Sequence, residues 1–434
     1  MRYFFVLFFA LFELSAVAAV KNVIFMIGDG MGYNQIHISQ ELLGKKLFLT
    51  TLPVSGMVFT SSANNRVTDS AAAATALATA HKTNNQSLGK DPQGQDLPSL
   101  LEKLKKTGKR TGLVTTTSLT DATPAAFATH VSNRKEHPLI AQWLLKNKVD
   151  LLLGGGRKYF LPLLSQFKKE HYELITSTQE LSHILPLKNK RLLGLFHEEH
   201  LNYEIDREEI PEMAEEPSLS QMTQAALQFL KNSPKGFFLM VEGGKIDHAG
   251  HEIDLATMAR EVLEFDHAIE KAVAFAKKRK DTLIIVTADH ETAALGFVEA
   301  TDIPHLQSLQ VSAQYMIQKF QKDSEGKFTE ESIKTVLKDH AHFPDVTQEE
   351  LQILQKISNR SVHDASVVLG SLISKRAEVV SVSLKMIQTG NTHGHSSAPV
   401  PVFSFGPGAQ SFTGTMDNTA IPLKISKLTH VSLH

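Results

Sequence analysis

Residues 237–251 have the sequence Phe-Phe-Leu-Met-Val-Glu-Gly-Gly-Lys-Ile-Asp-His-Ala-Gly-His. Five consecutive apolar residues are typical of a strand buried on both faces, as in a parallel sheet. The strand would end at Glu242 and lead through two glycines into a helix. Asp247 and His251 are four positions apart, so they share one face of that helix, and a carboxylate with an imidazole is a suitable pair of zinc ligands. The alternative is an ordinary solvated Asp–His pair.

The same pattern recurs along the chain, because other short apolar runs also end in glycine, acidic or hydroxyl residues. These runs are 23–27, 111–115, 151–153, 283–286 and 402–405. Helical patterns lie between the runs, at 97–107, 138–146, 220–230 and 255–277. Alternation of this kind predicts an α/β fold with a doubly wound, mainly parallel central sheet flanked by helices. Such sheets bind ligands beyond the carboxyl ends of their strands, where the polar clusters lie.

One segment departs from this alternation. From residue 301 to about residue 385, charged helical stretches replace the strand pattern. We expect a single catalytic domain over residues 20–434, with a helical insertion at about 301–385.

The first nineteen residues have the features of a secretory signal peptide. Arg2 precedes an apolar run from Tyr3 to Phe12, and small residues follow at 15–19. A membrane anchor is the alternative, but the run is shorter than the ~20 residues that a bilayer span needs. No second apolar span follows. The protein is therefore expected to be exported, either periplasmic or secreted, with no membrane span after signal removal.

Composition restricts the chemistry. The chain has 434 residues, a formal net charge of −1 and no cysteine. A near-neutral charge gives no electrostatic basis for binding nucleic acid or an anionic membrane. Without cysteine, any metal ion must be held by histidine, carboxylate or hydroxyl groups.

A candidate nucleophile precedes an alanine-rich helical stretch. Ser70 lies in the sequence Thr-Asp-Ser-Ala-Ala at 68–72, at or near a helix N-terminus. Backbone N–H groups there favour an anion, which suits a serine hydroxyl that forms a phosphate ester. The alternative is that Asp69 or Ser70 simply caps the helix.

Further candidate ligands follow other strands. Asp29 lies between glycines, Asp121 and Thr123 can face one hard cation, and Asp289 is followed by His290. Arg134 offers a planar fork for two phosphate oxygens. His393 and His395 precede the last strand, and His393 is the preferred ligand of the two. These residues predict two nitrogen/oxygen metal sites and one all-oxygen site.

From residue 22 to about residue 408, the sequence resembles the alkaline phosphatase family. The resemblance lies in an ordered set of motifs, namely Ile-Gly-Asp-Gly-Met-Gly at 27–32, Thr-Asp-Ser-Ala-Ala at 68–72, Asp-Ala-Thr-Pro-Ala-Ala at 121–126, Leu-Gly-Gly-Gly-Arg at 153–157, Val-Glu-Gly-Gly at 241–244, Thr-Ala-Asp-His at 287–290 and Thr-His-Gly at 392–394. It implies hydrolysis of phosphate monoesters through a phosphoserine intermediate by a homodimeric enzyme with two zinc ions and one magnesium ion per subunit.

The resemblance also implies a role for each candidate residue. Ser70 would be the nucleophile, and Arg134 would bind the phosphoryl oxygens. The ligands would be divided among three ions: Asp247, His251 and His393 for the first zinc; Asp29, Asp289 and His290 for the second zinc; Asp29, Thr123 and Glu242 for magnesium. Asp121 is expected to act on magnesium through bound water, and His248 to lie next to the magnesium ligands.

The sequence departs from the family pattern in two places. The first is the pair Asp121 and His248, where an acid is combined with a histidine, and the second is His197. His197 stands where vertebrate members have an acidic calcium ligand, so calcium is not implied. Three rival functions remain: a sulfatase, a phosphodiesterase and a binding protein without catalysis. The residues after Ser70 do not match a sulfatase motif, Arg134 suits a monoester, and no ligand of the family set is missing.

Overall fold

The computed structural model describes residues 20–184, 190–343, 345–381, 392 and 394–433. The expected signal peptide at 1–19 lies outside these ranges, and so does His393. The strands are β1 (Asn22–Gly28), β2 (Val54–Phe59), β3 (Arg110–Ser118), β4 (Leu151–Gly155), β5 (Tyr172–Ile175), β6 (Arg191–Leu195), β7 (Phe237–Gly243), β8 (Thr282–Thr287), β9 (Glu291–Thr292), β10 (Leu295–Gly296), β11 (Val380–Ser381), β12 (His395–Ser396), β13 (Val400–Phe405) and β14 (Gly414–Asp417).

Helices occupy most of the intervening chain. They are α1 (Tyr33–Leu43), α2 (Ser70–Thr79), α3 (Leu100–Lys106), α4 (Ala122–Ala126), α5 (His137–Lys146), α6 (Arg157–Phe160), α7 (Leu164–Lys169), α8 (Thr178–Ser182), α9 (Glu204–Glu209), α10 (Leu219–Leu230), α11 (Lys245–His251), α12 (Leu255–Lys277), α13 (Ile303–Ser308), α14 (Ala313–Lys319), α15 (Glu330–Ala341), α16 (Gln348–Lys356), α17 (Val362–Arg376) and α18 (Ala420–Thr429). Short 3₁₀ turns lie at Phe48–Thr51, Leu161–Leu163, Met213–Glu215 and Ala409–Phe412.

The central sheet has ten strands in the order β14-β2-β13-β8-β1-β7-β3-β4-β6-β5. Only β13 runs antiparallel to its neighbours, β8 and β2, while the other described pairs in this sheet are parallel. Each of the six strands predicted from an apolar run is found, as β1, β3, β4, β7, β8 and β13. The predicted α/β class with a mainly parallel sheet is therefore confirmed.

Two groups of helices pack against the central strands. Helix α12 packs against both α1 and α10, and α10 and α12 also contact β7. Helices α2, α3 and α4 form the second group, with α3 and α4 against β3 and β7. Every residue of β1 and β7 is buried, as continuous apolar runs predict.

The segment 301–385 contains α13 to α17 in its described part. A two-stranded ladder lies at its base, where β10 pairs with β11 through Leu295 with Ser381 and Gly296 with Val380. Among the described residues, no helix combines the length and the apolar character that a membrane span requires.

Candidate active site

The polar residues predicted at strand ends converge at the carboxyl edge of the parallel strands. Asp29 follows β1, Glu242 is the second-last residue of β7, and Asp289 and His290 follow β8. Strands β7, β1 and β8 are adjacent in the sheet, so these three strand ends meet. Ser70 is brought to the same place as the first residue of α2.

Ser70 is positioned by its own helix. The Asp69 side chain caps α2 by accepting a hydrogen bond from the N–H of Ala72 at 2.9 Å. Asp69 is thus the cap, and Ser70 itself is free to face the cluster. Ser70 is buried, and its Oγ lies 3.1 Å from Nε2 of His290.

The first cluster of possible ligands contains Asp29, Asp289 and His290, all buried. Nε2 of His290 lies 3.3 Å from Oδ1 of Asp29 and 3.2 Å from Oδ2 of Asp289. Those two carboxylate oxygens are buried and accept no hydrogen bond from the described residues. A buried oxygen that accepts no hydrogen bond is unfavourable, and a bound cation would satisfy it. This group of ligands therefore fits a cation.

The second cluster lies beside it. Oδ2 of Asp247 is 3.1 Å from Nε2 of His251, which is itself 3.1 Å from Nε2 of His395. Nδ1 of His395 lies 2.9 Å from the carbonyl oxygen of Thr68, so Nδ1 carries the proton and Nε2 is left as a ligand atom. His395, ranked second from the sequence, thus points into the cluster, while His393 lies outside the described residues.

The hydroxyl of Thr292 supports the second cluster. Thr292 Oγ1 donates a hydrogen bond to Oδ1 of Asp247, and Thr292 lies in β9, which pairs with β12 next to His395. A hydrogen bond to the outer side of a ligand orients it for the metal. Sequence reasoning did not select Thr292, because a lone threonine two residues after His290 carries no pattern of its own.

The residues expected to hold magnesium also meet. Thr123 Oγ1 donates to Oδ2 of Asp29 at 3.2 Å. Glu242 is buried, accepts hydrogen bonds from Thr115 and Thr117, and is close enough to Thr123 for a further hydrogen bond. Asp29, Thr123 and Glu242 all offer oxygen ligands, as a hard cation prefers.

Burial and mutual repulsion shape the charges of these acids. Burial, followed by the repulsion of Asp289 and Asp247, raises the pKa of Asp29 well above its usual value. Burial, with Asp247 next, raises the pKa of Asp289 to about 7. Burial is also the main reason that the pKa of Glu242 is raised to about 8. Carboxylates crowded in this way need positive charge to ionise together, which metal ions supply.

Arg134 lies between two acids at the rim. Its Nη2 donates to Oδ1 of Asp121 at 3.1 Å, and its Nη1 lies 3.6 Å from Oδ2 of Asp69. Both contacts fix the guanidinium, and Arg134 and Ser70 line the same cleft of about 1090 Å³.

Asp121 and His248 lie together near that rim, with a third residue that sequence reasoning missed. Nε2 of His248 is 4.0 Å from Oδ2 of Asp121, and Nδ1 of His200 is 3.8 Å from the same oxygen. The backbone N–H of Ser118 donates to Nδ1 of His200 at 3.1 Å. Because Nδ1 of His200 accepts that bond, it has no proton to donate to Asp121. His200 therefore lies next to the carboxylate without a hydrogen bond from Nδ1 to it.

Known proteins resemble this chain in sequence and architecture. The alkaline phosphatase family profile matches residues 20–431. Alkaline phosphatase 4 of Bacillus subtilis (strain 168) is 35% identical over 432 residues, covering 93% of this chain and 87% of that protein.

Two solved structures agree with this match. The cold-active alkaline phosphatase from Shewanella sp. has a TM-score of 0.81 at 33% identity and covers 94% of this chain and 99% of its own. The Thermus thermophilus alkaline phosphatase has a TM-score of 0.85 at 26% identity, with 96% and 92% covered. The chain belongs to the alkaline phosphatase family of phosphate monoester hydrolases.

Proposed function

We propose that this protein hydrolyses phosphate monoesters through a phosphoserine formed at Ser70, with two zinc ions and one magnesium ion per subunit. The observation that carries the proposal is the buried Ser70 hydroxyl at the start of α2. It lies 3.1 Å from His290 and near carboxylate oxygens that accept no hydrogen bond from any residue the structure describes. A serine placed among metal ligands suits phosphoryl transfer better than the storage of metal ions.

The ligands divide into three groups in this proposal. Asp29, Asp289 and His290 hold one zinc ion, and Asp29, Thr123 and Glu242 hold magnesium. Asp247 and His251 hold the other zinc ion. We assign its third ligand to His395 because its Nε2 faces His251, in place of His393, the residue preferred from the sequence.

Each protein group then has a defined task. Ser70 Oγ attacks phosphorus, the bond to the alcohol oxygen breaks, and the alcohol leaves with a proton. A water molecule then attacks the phosphoserine, which releases inorganic phosphate and restores the serine hydroxyl. When bound, the metal ions lower the pKa of coordinated oxygen groups and neutralise charge on the reacting oxygens.

Arg134 and the start of α2 bind the phosphoryl group. The guanidinium can bond two oxygens at once, and the first N–H groups of a helix favour an anion. Asp69 and Asp121 keep Arg134 in place. Asp121 and His248 do not bind magnesium directly in this proposal. They lie next to its ligands and act on the site through them.

The test is hydrolysis of p-nitrophenyl phosphate between pH 6 and 10 by the wild-type protein and Ser70→Ala, both loaded with zinc and magnesium. We expect turnover above pH 8 that a chelator removes, and its collapse in the variant. Trapping of radiolabelled phosphate on the wild-type protein only would identify Ser70 as the attachment site. Turnover that is unchanged in Ser70→Ala would contradict the phosphoserine step.

The expectations on processing and assembly stay part of this proposal. The signal peptide at 1–19 would be removed on export to the periplasm or the medium, and the mature chain would form a homodimer. N-terminal sequencing of the exported protein and light scattering of the purified protein test the two statements separately.

A further inference from the structure

The helix that carries Asp247 and His251 ends in an unusual turn. After α11, the N–H of Ile253 bonds to the carbonyl of Gly250 at 3.0 Å, and the N–H of Asp254 bonds to that of Ala249 at 3.0 Å. This pair of bonds is a Schellman motif, whose left-handed position is usually glycine. Here the position holds Ile253, with a φ of +53°.

A buried isoleucine in the left-handed region is strained. A β-branched side chain is a genuine outlier there, and such a conformation persists only where the surrounding structure imposes it. Ile253 is fully buried. The cause must therefore lie in what packs against residues 252–254.

Helix α17 packs directly on this turn. Ser374 Oγ donates a hydrogen bond to the carbonyl oxygen of Ile253 at 2.7 Å. Gly370 lies so close that a Cβ added there would be 2.0 Å from the carbonyl oxygen of Glu252. Nδ1 of His363 lies 3.1 Å from Oε1 of Glu252, which is itself buried.

Helix α14 reaches the same turn from another direction. The N–H of Ala313, in its first turn, donates to Oδ2 of Asp254 at 2.7 Å. The preceding residue, Ser312, donates from its N–H and its Oγ to Asp206 at 2.7 and 2.6 Å. Both helices belong to the segment 301–385, so this segment holds the turn through two independent attachments.

The opposite side of α11 is also fixed. Gly250 packs on Thr292, where an added Cβ would lie 3.1 Å from Cγ2 of the threonine. Helix α11 has seven residues, and His251 is its last. A shift of the turn is therefore passed directly to His251 and, one helical turn earlier, to Asp247.

We propose that the helical segment 301–385 positions Asp247 and His251 for their metal ion by holding the strained turn at 252–254. Gly370 and Ser374 are positioning residues in this proposal, since they touch the turn and not the cation. The identity of the cation as zinc rests on the proposed function, whereas the contacts with the turn do not.

The experiment measures the affinity for zinc directly. Zinc-loaded wild-type protein, Ser374→Ala and Ser371→Ala are titrated with a chromophoric chelator, and the release of each ion is followed. Ser371 is the matched control because it lies on the same helix and its Oγ donates to the carbonyl oxygen of Val367 within that helix. His251→Ala shows which release step belongs to the Asp247–His251 site.

We expect Ser374→Ala to weaken that one step by about three- to tenfold, somewhat less than the 10–100-fold typical of a lost bond to a ligand itself. Ser371→Ala should match the wild type. Gly370→Ala should have the larger effect, because the added Cβ displaces the backbone of Glu252. If Gly370→Ala fails to fold, Ser374→Ala alone decides the test.

Equal affinities in Ser374→Ala and Ser371→Ala would overturn the proposal, as would an equal loosening of every release step. The assay requires no turnover and can be run in the Ser70→Ala background. Failure of the phosphoserine mechanism would therefore appear in the hydrolysis assay and leave the zinc titration unaffected.

Discussion

Ser70 Oγ and His290 Nε2 lie 3.1 Å apart although 220 residues separate them in the chain. The contact joins the start of α2 to the loop after β8. It places the proposed nucleophile within the group of residues assigned to one zinc ion. A hydroxyl in that position is held where a metal ion can lower its pKa.

Replacement of His290 should therefore affect both metal content and rate. We expect His290→Ala to lose one zinc ion per chain and to lower kcat/KM for p-nitrophenyl phosphate by at least about a hundredfold, the scale of one lost stabilising group. Elemental analysis and steady-state kinetics check both results. His267→Ala is the control, since His267 is half-exposed and contacts Glu264. Full zinc content in His290→Ala would contradict the assignment.

The two histidines before β13 can be distinguished by the same measurements. His395→Ala should remove one zinc ion and most of the activity, because the Nε2 of His395 faces His251. His393→Ala should retain both zinc ions. Loss of a zinc ion in His393→Ala and not in His395→Ala would identify His393, the residue preferred from the sequence, as the ligand.

Arg134 should act through its planar shape as well as its charge. We expect Arg134→Ala to weaken the inhibition by inorganic phosphate by about 10–100-fold, since hydrogen bonds to charged groups contribute about 1.5–3 kcal/mol each. Arg134→Lys keeps the charge but loses the fork, so it should recover only part of the affinity. Inhibition constants at one pH and ionic strength check this order. Equal constants for the lysine variant and the wild type would contradict bidentate binding.

The pair of His130 and Glu102 should make stability depend on pH. Burial acts to lower the pKa of His130, but the hydrogen bond and charge of Glu102, 3.0 Å away, raise it above 6.5. A histidine with a raised folded pKa contributes stability that is complete below about pH 6.5 and is lost as pH rises through the folded value.

Glu102→Gln removes the charge and keeps the N-terminal cap of α3, because glutamine also suits a capping box. The free energy of unfolding should fall by about 1–2 kcal/mol at pH 6, because a charged hydrogen bond worth about 1.5–3 kcal/mol becomes a neutral one worth about 0.5–1.5 kcal/mol, and by less at pH 9. Urea denaturation at the two pH values checks this. A difference between variant and wild type that grows with pH would exclude a charged His130.

The sequence predicted the central strands well because each is a continuous apolar run that ends in polar residues. Strand β2 was missed because only one of its faces is buried and glycine lies at its centre. Strand β5 was missed because it has only four residues and lies at the edge of the sheet, and its neighbour β6 was missed because Gly194 interrupts a short run of leucines. Strong patterns thus came from strands buried on both faces.

The site was predictable in part for the same reason. Asp29, Glu242, Asp289 and His290 follow buried strands, so the topology alone brings them together. The position of His395 depends on the pairing of β12 with β9, a contact across more than a hundred residues that no local pattern encodes. His200 reaches His248 in a similar way, from an irregular loop after β6.

The ladder between β10 and β11 gives the segment 301–385 a stem. Gly296 and Val380 pair with each other in this ladder, at the two ends of the segment. The distance between the two ends is therefore fixed by the ladder and does not depend on how many residues lie between them. The entropy of closing a loop rises only slowly with its length. We therefore expect that helices can be added or removed beyond this stem with little effect on the ten-stranded sheet. The contacts at residues 252–254 set the limit, because any replacement must still support that turn.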